Sequence, residues 1–243
     1  MRDFNVSRIT AKNYLSRLAR MELVKRIGRG LYQPGKGPTA TVDLSPELSK
    51  LSKFLRERFR MAELKVWSIG MLADYAHYTV GKDLVFVETD KMLSASIRDA
   101  LIERGYHAVL RPENRDFREY AYYDWKPVFV LERREEYGLV RLGDGFVLTP
   151  ERIWLDLYYF ITRKGMSFSP GELGVMFANM LRRDGINFNR LLRYAQRRKL
   201  RDEMIIFLYS LKQSSLLSIP GDILVGRKGV LRAIREMVDG VRE

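Results

Sequence analysis

Thr10, Asn13 and Arg17 recur at i, i+3 and i+7, a spacing that sets three side chains on one face if residues 8–20 are helical. Arg8 and Lys12 lie beside them. Asn and Arg pair bidentately with base edges in the major groove, and Arg, Lys and Thr bind phosphate oxygens. The chemistry this set offers is recognition of duplex DNA, with no bond made or broken. Lys25, Arg26 and Arg29 follow around a Gly-rich turn, where they would hold the flanking backbone or minor groove. A second basic set, Arg190, Arg193, Arg197 and Arg198, has its first three members at i, i+3 and i+7, opposite Phe188, Leu191, Leu192 and Ala195. An arginine stripe of this kind grips phosphates, docks on an acidic protein, or is a solvated face. The residue types leave these three open.

Glu88 and Asp90, at i and i+2 on an expected strand, point to one face and could hold a divalent metal for nucleotidyl transfer. The plainer reading is a strand end, with Asp90 as the N-cap of the helix that follows, and it is preferred. His77 and His107 are too isolated for a metal site or a triad. Gly226-Arg-Lys-Gly229 lacks the P-loop spacing, and no GxSxG occurs. No catalytic residue, metal or cofactor is assigned. Trp67, Trp125 and Trp154 are widely separated and read as core anchors.

Several elements must position these residues. Ser7 is a suitable N-cap, Ala11, Leu15 and Leu18 form an apolar stripe, and the helix should end near Met21. Leu23–Ile27 and Leu31–Gln33 flank Gly28-Arg-Gly30 as two short strands. Residues 1–34 thus match a recognition helix and wing, a partial winged helix lacking the two helices that normally come first. Residues 35–44, with two prolines and two glycines nearby, read as a linker. Residues 45–148 alternate strands and helices: a helix capped by Ser45-Pro46, strands near 66–69, 83–90, 106–110, 127–132, 138–142 and 146–148, a short helix over 71–78, and a helix over 91–104 with Leu93, Ile97, Leu101 and Ile102 inward and Gly105 at its end. Residues 149–243 read as helical, with segments at 150–162, 170–182, about 188–195, 200–212 and 229–241. The fold class is α+β: the partial winged helix, a mixed α/β middle domain, and a helical C-terminal region.

Composition sets the bounds. The chain has 243 residues, 46% of them hydrophobic, and no cysteine, so disulfides, thiolate zinc sites and thiol catalysis are excluded. With neither a signal peptide nor an apolar run near 18 residues, a cytoplasmic protein without membrane association is expected. The net charge of +13 is uneven. Residues 1–40 carry nine Lys/Arg against two Asp/Glu, and residues 181–201 carry eight against one, so each island sums to +7 and the remainder to −1. Two basic islands on a neutral body suggest polyanion-facing surfaces.

The order of three stretches resembles the AbiEi-type antitoxins of type IV toxin–antitoxin systems. They are Leu15-Ser-Arg-Leu18 with Ile27-Gly-Arg-Gly-Leu-Tyr32, then Val66-Trp-Ser-Ile-Gly-Met-Leu-Ala-Asp-Tyr-Ala-His77 with Leu84-Val-Phe-Val-Glu-Thr-Asp90, and Thr149-Pro-Glu-Arg-Ile-Trp-Leu-Asp-Leu-Tyr158. The resemblance implies a winged-helix transcriptional regulator that binds its own operator in double-stranded DNA, represses its operon and neutralises a nucleotidyltransferase-like toxin. It also implies that the middle domain follows a nucleotidyltransferase outline: strand, Gly, helix, acidic strand. The chain departs from that outline where such enzymes have Gly-Ser or Gly-Gly and a paired-Asp motif, since Gly70 precedes Met71 and the acidic pair is Glu88-Thr-Asp90. A non-catalytic version is therefore expected, with a metal-dependent nucleotidyltransferase or nuclease using Glu88 and Asp90 as the alternative. Three explanations compete for the two missing helices: a start codon further upstream or a trimmed chain, packing on a second copy as a homodimer, or lost autonomous DNA binding. In every case some other surface must cover Leu15 and Leu18.

Overall fold

The computed structural model describes residues 7–21, 23–28, 31–34, 44–77, 82–123, 126–142, 145–184 and 186–213. The readings of a linker over 35–43, a helix over 229–241, Trp125 as a core anchor and Arg29 at the turn lie outside the described residues. The chain divides into two compact units, one formed by Thr41–Asn179 and the other by both ends of the chain, Met1–Ala40 and Met180–Glu243.

In the unit made of the two ends, helix α1 (Arg8–Arg20) starts as expected: Ser7 Oγ accepts from the Thr10 backbone N–H at 3.1 Å, and Met21 is the C-cap. Strands β1 (Val24–Gly28) and β2 (Leu31–Pro34) pair antiparallel, with a register shift between Arg26 and Gly28. α1 packs on β1.

The Thr41–Asn179 unit opens with α2 (Pro46–Arg58). Its cap, Ser45, accepts from Leu48 N, and Pro46 occupies the first turn, where its missing N–H costs nothing. A four-stranded mixed sheet follows in the order β3 (Lys65–Ser68), β4 (Val85–Thr89), β6 (Pro127–Glu132), β5 (His107–Leu110). β3 runs antiparallel to β4, whereas β4 and β5 both run parallel to β6. Helix α3 (Lys91–Glu103) packs on β5 and β6 with Ile97, Ala100 and Leu101 buried, and Gly105 at φ +86° ends it. Ile102 is exposed, contrary to expectation, because a position one residue beyond Leu101 turns about 100° off the buried stripe.

The short helix expected over 71–78 is a 3-10 helix that starts earlier, Ile69–Tyr75, and takes in Ile69, which was expected to end the strand. A short helix that the pattern did not reveal, α4 (Asn114–Glu119), lies between β5 and β6. Its Phe117 is buried and is the only apolar side chain among its six residues, too few to display a period. After β6 come a β7–β8 hairpin (Leu139–Leu142, Gly145–Leu148) and α5 (Pro150–Lys164), closed by Gly165 at φ +69°.

The core of this unit is a row of aromatic rings. Trp67, Phe86 and Phe129 are register partners across β3, β4 and β6, so they share one face of the sheet. Trp67 stacks on Phe86 with centroids 4.1 Å apart, and Phe160 of α5 lies 5.1 Å from Phe86. Phe117 meets Phe160 at 4.7 Å and Phe129 at 5.1 Å. Trp154, on a different side of α5, is fully buried and donates its Nε1–H to the Leu173 carbonyl of α6 (Pro170–Arg183) at 2.9 Å.

Helices α7 (Phe188–Arg197) and α8 (Arg201–Gln213) pack together in the unit of the two chain ends, and α7 also packs on β1. Phe188, Leu191, Tyr194 and Ala195 are the buried face of α7, and Met204, Ile205, Leu208 and Leu211 that of α8. The expectation that a further surface must pack on the N-terminal helix and hairpin is met at β1, on which α7 from the other end of the chain packs.

Candidate nucleic-acid interface

α1 is 13 residues long, about 20 Å of axis. Leu15, Leu18 and Ala11 are half-buried on one stripe; Asn13, Arg17 and Ile9 are exposed opposite it, and Lys12 and Tyr14, also exposed, lie on its flanks. Thr10 is half-buried, and its hydroxyl lies 2.8 Å from Ser7 Oγ, so it is engaged in the cap. Arg8 lies in the first turn of α1, and Lys25 and Arg26 lie on β1.

α7 begins at Asn187, whose Oδ1 accepts from Arg190 N at 3.0 Å. Arg193 and Arg197 are exposed, Arg190 and Arg198 half-buried. Positions 190, 193 and 197 fall within about 60° of helical arc, opposite the buried Phe188, Leu191, Tyr194 and Ala195. Arg193 Nε donates to the Asn189 carbonyl at 3.2 Å, which lays its stem along its own helix.

The two basic islands, about 150 residues apart in sequence, belong to one compact unit. That unit holds 23 Lys/Arg against nine Asp/Glu, a net +14, whereas Thr41–Asn179 sums to −1. All of the chain's excess charge therefore sits in one of its two units.

The acidic strand is built for a different purpose. Glu88 is fully buried, and both carboxylate oxygens are engaged. Trp67 Nε1 and Arg133 Nη2 donate to Oε1, the first at 2.9 Å, and Arg152 Nη2 donates to Oε2. Arg133 also binds Asp156 bidentately, at 3.0 and 2.8 Å, and Arg152 Nη1 donates to the carbonyls of Glu135 and Tyr137, each at 2.9 Å. Arg152, Asp156 and Phe160 stand at i, i+4 and i+8 on α5. The helix stripe thus turns from ionic to aromatic, as β4 does from Glu88 to Phe86. Gly138, at φ +69°, backs this cluster; a Cβ there would stand 2.8 Å from Arg152 Cβ. Asp90 occupies the N-cap position of α3 without bonding the helix N–H groups, and its carboxylate pairs with Arg134. Neither acid faces an open site, and no cluster of metal-binding side chains occurs among the described residues. Sequence reasoning missed this network. Its one local signal was the i, i+4 pair Arg152 and Asp156 among the apolar residues 153–155 and 157–161 of α5.

Asp83, just before β4, accepts from the Gly70 backbone N–H at 2.6 Å. A Cβ at position 70 would meet that carboxylate at 2.8 Å, so glycine is required for the contact. Burial pushes the Asp83 carboxyl above its ordinary range, against the opposing bonds from Gly70 and Ser68. A raised folded-state value means a contribution to stability that is present below the ordinary Asp range and is lost as pH rises through the raised value. Asp83→Asn keeps an acceptor for Gly70 and cannot ionise. Wild type is expected to lose stability relative to Asp83→Asn as pH rises above the ordinary Asp range, read as diverging urea midpoints. Midpoints that stay parallel would mean that Asp83 does not titrate in this range.

The fold and charge define a class first: a mixed α/β protein with a strongly basic helix-and-hairpin unit closed by both chain ends. The chain belongs to a family of unknown function (DUF6577), whose model matches residues 10–214, more than four fifths of its length. No curated protein matches the chain. No helix among the described residues is long and apolar enough to cross a membrane.

Proposed function

We propose that this chain is an antitoxin-like, DNA-binding transcriptional regulator that represses its own operon, with α1 as recognition helix and β1–β2 as wing. The observation that carries this reading is the segregation of charge: +14 in the unit holding α1 and −1 in the other. A net charge this far from zero repels itself, and it is useful where a polyanion neutralises it. The exposed face of α1 carries Lys12, Asn13 and Arg17, the types that read bases and bind phosphates. Helix α7 packs against β1, support of the kind a winged-helix hairpin needs.

The Thr41–Asn179 unit, on this reading, is a non-catalytic body of nucleotidyltransferase outline, and it serves in neutralising a nucleotidyltransferase-like toxin. The succession of β3, Gly70, the 3-10 turn and β4 fits that outline. The saturation of Glu88 by one tryptophan and two arginines speaks against the metal-dependent enzyme.

The test is a mobility-shift titration on the DNA upstream of the protein's own gene, across a salt series. Specific retention should weaken steeply with salt, the log–log slope gaining about 0.9 per phosphate neutralised. Salt-independent retention, or none, would remove the reading.

A further inference from the structure

We infer that the α7 arginine stripe, Arg190, Arg193 and Arg197, grips the backbone of the same DNA duplex that α1 reads, so that one interface is built from both ends of the chain. This inference rests on the reading of α1 as DNA-binding. α1 and α7 both pack on β1. Each then lies about 10 Å from that strand, and the two within about 20 Å of one another, less than one turn of duplex at about 34 Å. From Arg190 to Arg197 the helix rises about 10 Å, close to the axial span of four successive phosphates on one strand, three steps of about 3.4 Å.

The charge balance separates this surface from an ordinary solvated face. Solvated faces intersperse both signs. This unit holds 23 Lys/Arg against nine Asp/Glu. The match to the family model runs from within α1 to just past α8, so the family as a whole spans both halves of this surface. Duplex DNA is favoured over RNA because a reading helix fits the roughly 12 Å major groove of B-form DNA and is kept out of the narrow A-form groove.

The experiment is fluorescence anisotropy of a labelled 20-base-pair duplex with the full chain, over 50–200 mM salt, using the upstream sequence and a scrambled one. Arg193→Ala/Arg197→Ala should lower the log–log slope by about 1.8, so that wild type loses roughly tenfold more affinity than the variant across that salt range. The loss should be equal on both sequences, since phosphate contacts carry no sequence information. Arg193→Lys/Arg197→Lys should restore most of the slope. Should the alanine pair fail to fold, Arg193→Gln/Arg197→Gln keeps the aliphatic stems and removes only charge, and the same slope loss is expected.

If wild type binds with a steep slope, Lys12→Ala/Arg17→Ala lowers it and the α7 variants do not, this inference is overturned and the stripe lies off the DNA. A slope loss confined to double-stranded RNA would overturn it as well. Failure of the wild-type chain to bind any duplex is a different result, and it removes the proposed function itself.

Discussion

Glu88→Ala is expected to destabilise the Thr41–Asn179 unit by about 3–5 kcal/mol, the usual cost of removing one partner from a buried ion pair. The reason is charge left without compensation. Arg152 is 1% exposed and Asp156 is fully buried, and Glu88 accepts from both Arg152 and Arg133. Lys65 sits directly across β3–β4 from Glu88 and is buried too; burial lowers its pKa while Glu88 opposes the shift. Without Glu88, Arg133 and Arg152 keep Asp156 as their buried carboxylate, Lys65 loses its cross-strand one, and Trp67 Nε1 loses its acceptor. The melting temperature should fall by on the order of 10 °C, read from the near-ultraviolet dichroism of the buried tryptophans. Glu88→Gln retains an acceptor for Trp67 and removes only charge, so it should fall between wild type and alanine. Replacing the whole cluster at once, with Glu88→Leu, Arg133→Met, Arg152→Met and Asp156→Leu, should cost less than Glu88→Ala alone, because a matched apolar core often equals a buried ion network. A loss below about 1 kcal/mol for Glu88→Ala would show that the cluster contributes little. A rise in melting temperature on adding magnesium, abolished in Glu88→Gln, would instead return Glu88 to the role of metal ligand.

That network also marks where reading the sequence stopped working. The spacing of Glu88 and Asp90 places both on one strand face, and the strand is there. What occupies that face is decided elsewhere: Arg133 comes from 45 residues away and Arg152 from 64. Period and spacing are local quantities, so they state which way a side chain points and are silent on what it meets. Elements whose start or stop is set by local chemistry were legible. Ser7, Ser45-Pro46, Thr149-Pro150 and Gly105 each bound a helix of the fold. The exceptions are equally physical. A six-residue helix with one buried Phe carries no readable period, and residues 71–78 were read as α-helical because a 3-10 turn has nearly the same apolar spacing.

The candidate interface divides along the same line. The types and exposure of Lys12, Asn13 and Arg17 were readable from the apolar stripe that excludes them. The joining of residues 1–40 with residues 180–243 was not, because no local pattern announces that β1 packs on a helix more than 150 residues later. The sequence left open what supports the hairpin. β1 is packed by α1 and by α7 from the far end of the chain.

Asn13→Ala and Lys12→Ala should therefore separate two kinds of contact on one helix. On the proposed reading Asn13, exposed at the middle of α1, reads a base edge, most suitably adenine, to which Asn pairs bidentately. Its removal should cost about 1–3 kcal/mol, roughly 5- to 150-fold, on the upstream sequence, should leave scrambled DNA almost unaffected, and should keep the salt slope. Arg17, one turn further along, should combine both effects, losing affinity and discrimination with a slope change of about 1. Lys12 should lower the slope by about 0.9 on every sequence and leave the ratio between sequences unchanged. Alanine is a good helix former and all three positions are exposed, so the helix itself should survive each change. Helical dichroism and melting temperature equal to wild type check that point directly. If Asn13→Ala and Lys12→Ala prove indistinguishable on specific and scrambled duplexes, α1 acts as a phosphate-binding helix only, and sequence recognition must come from the hairpin.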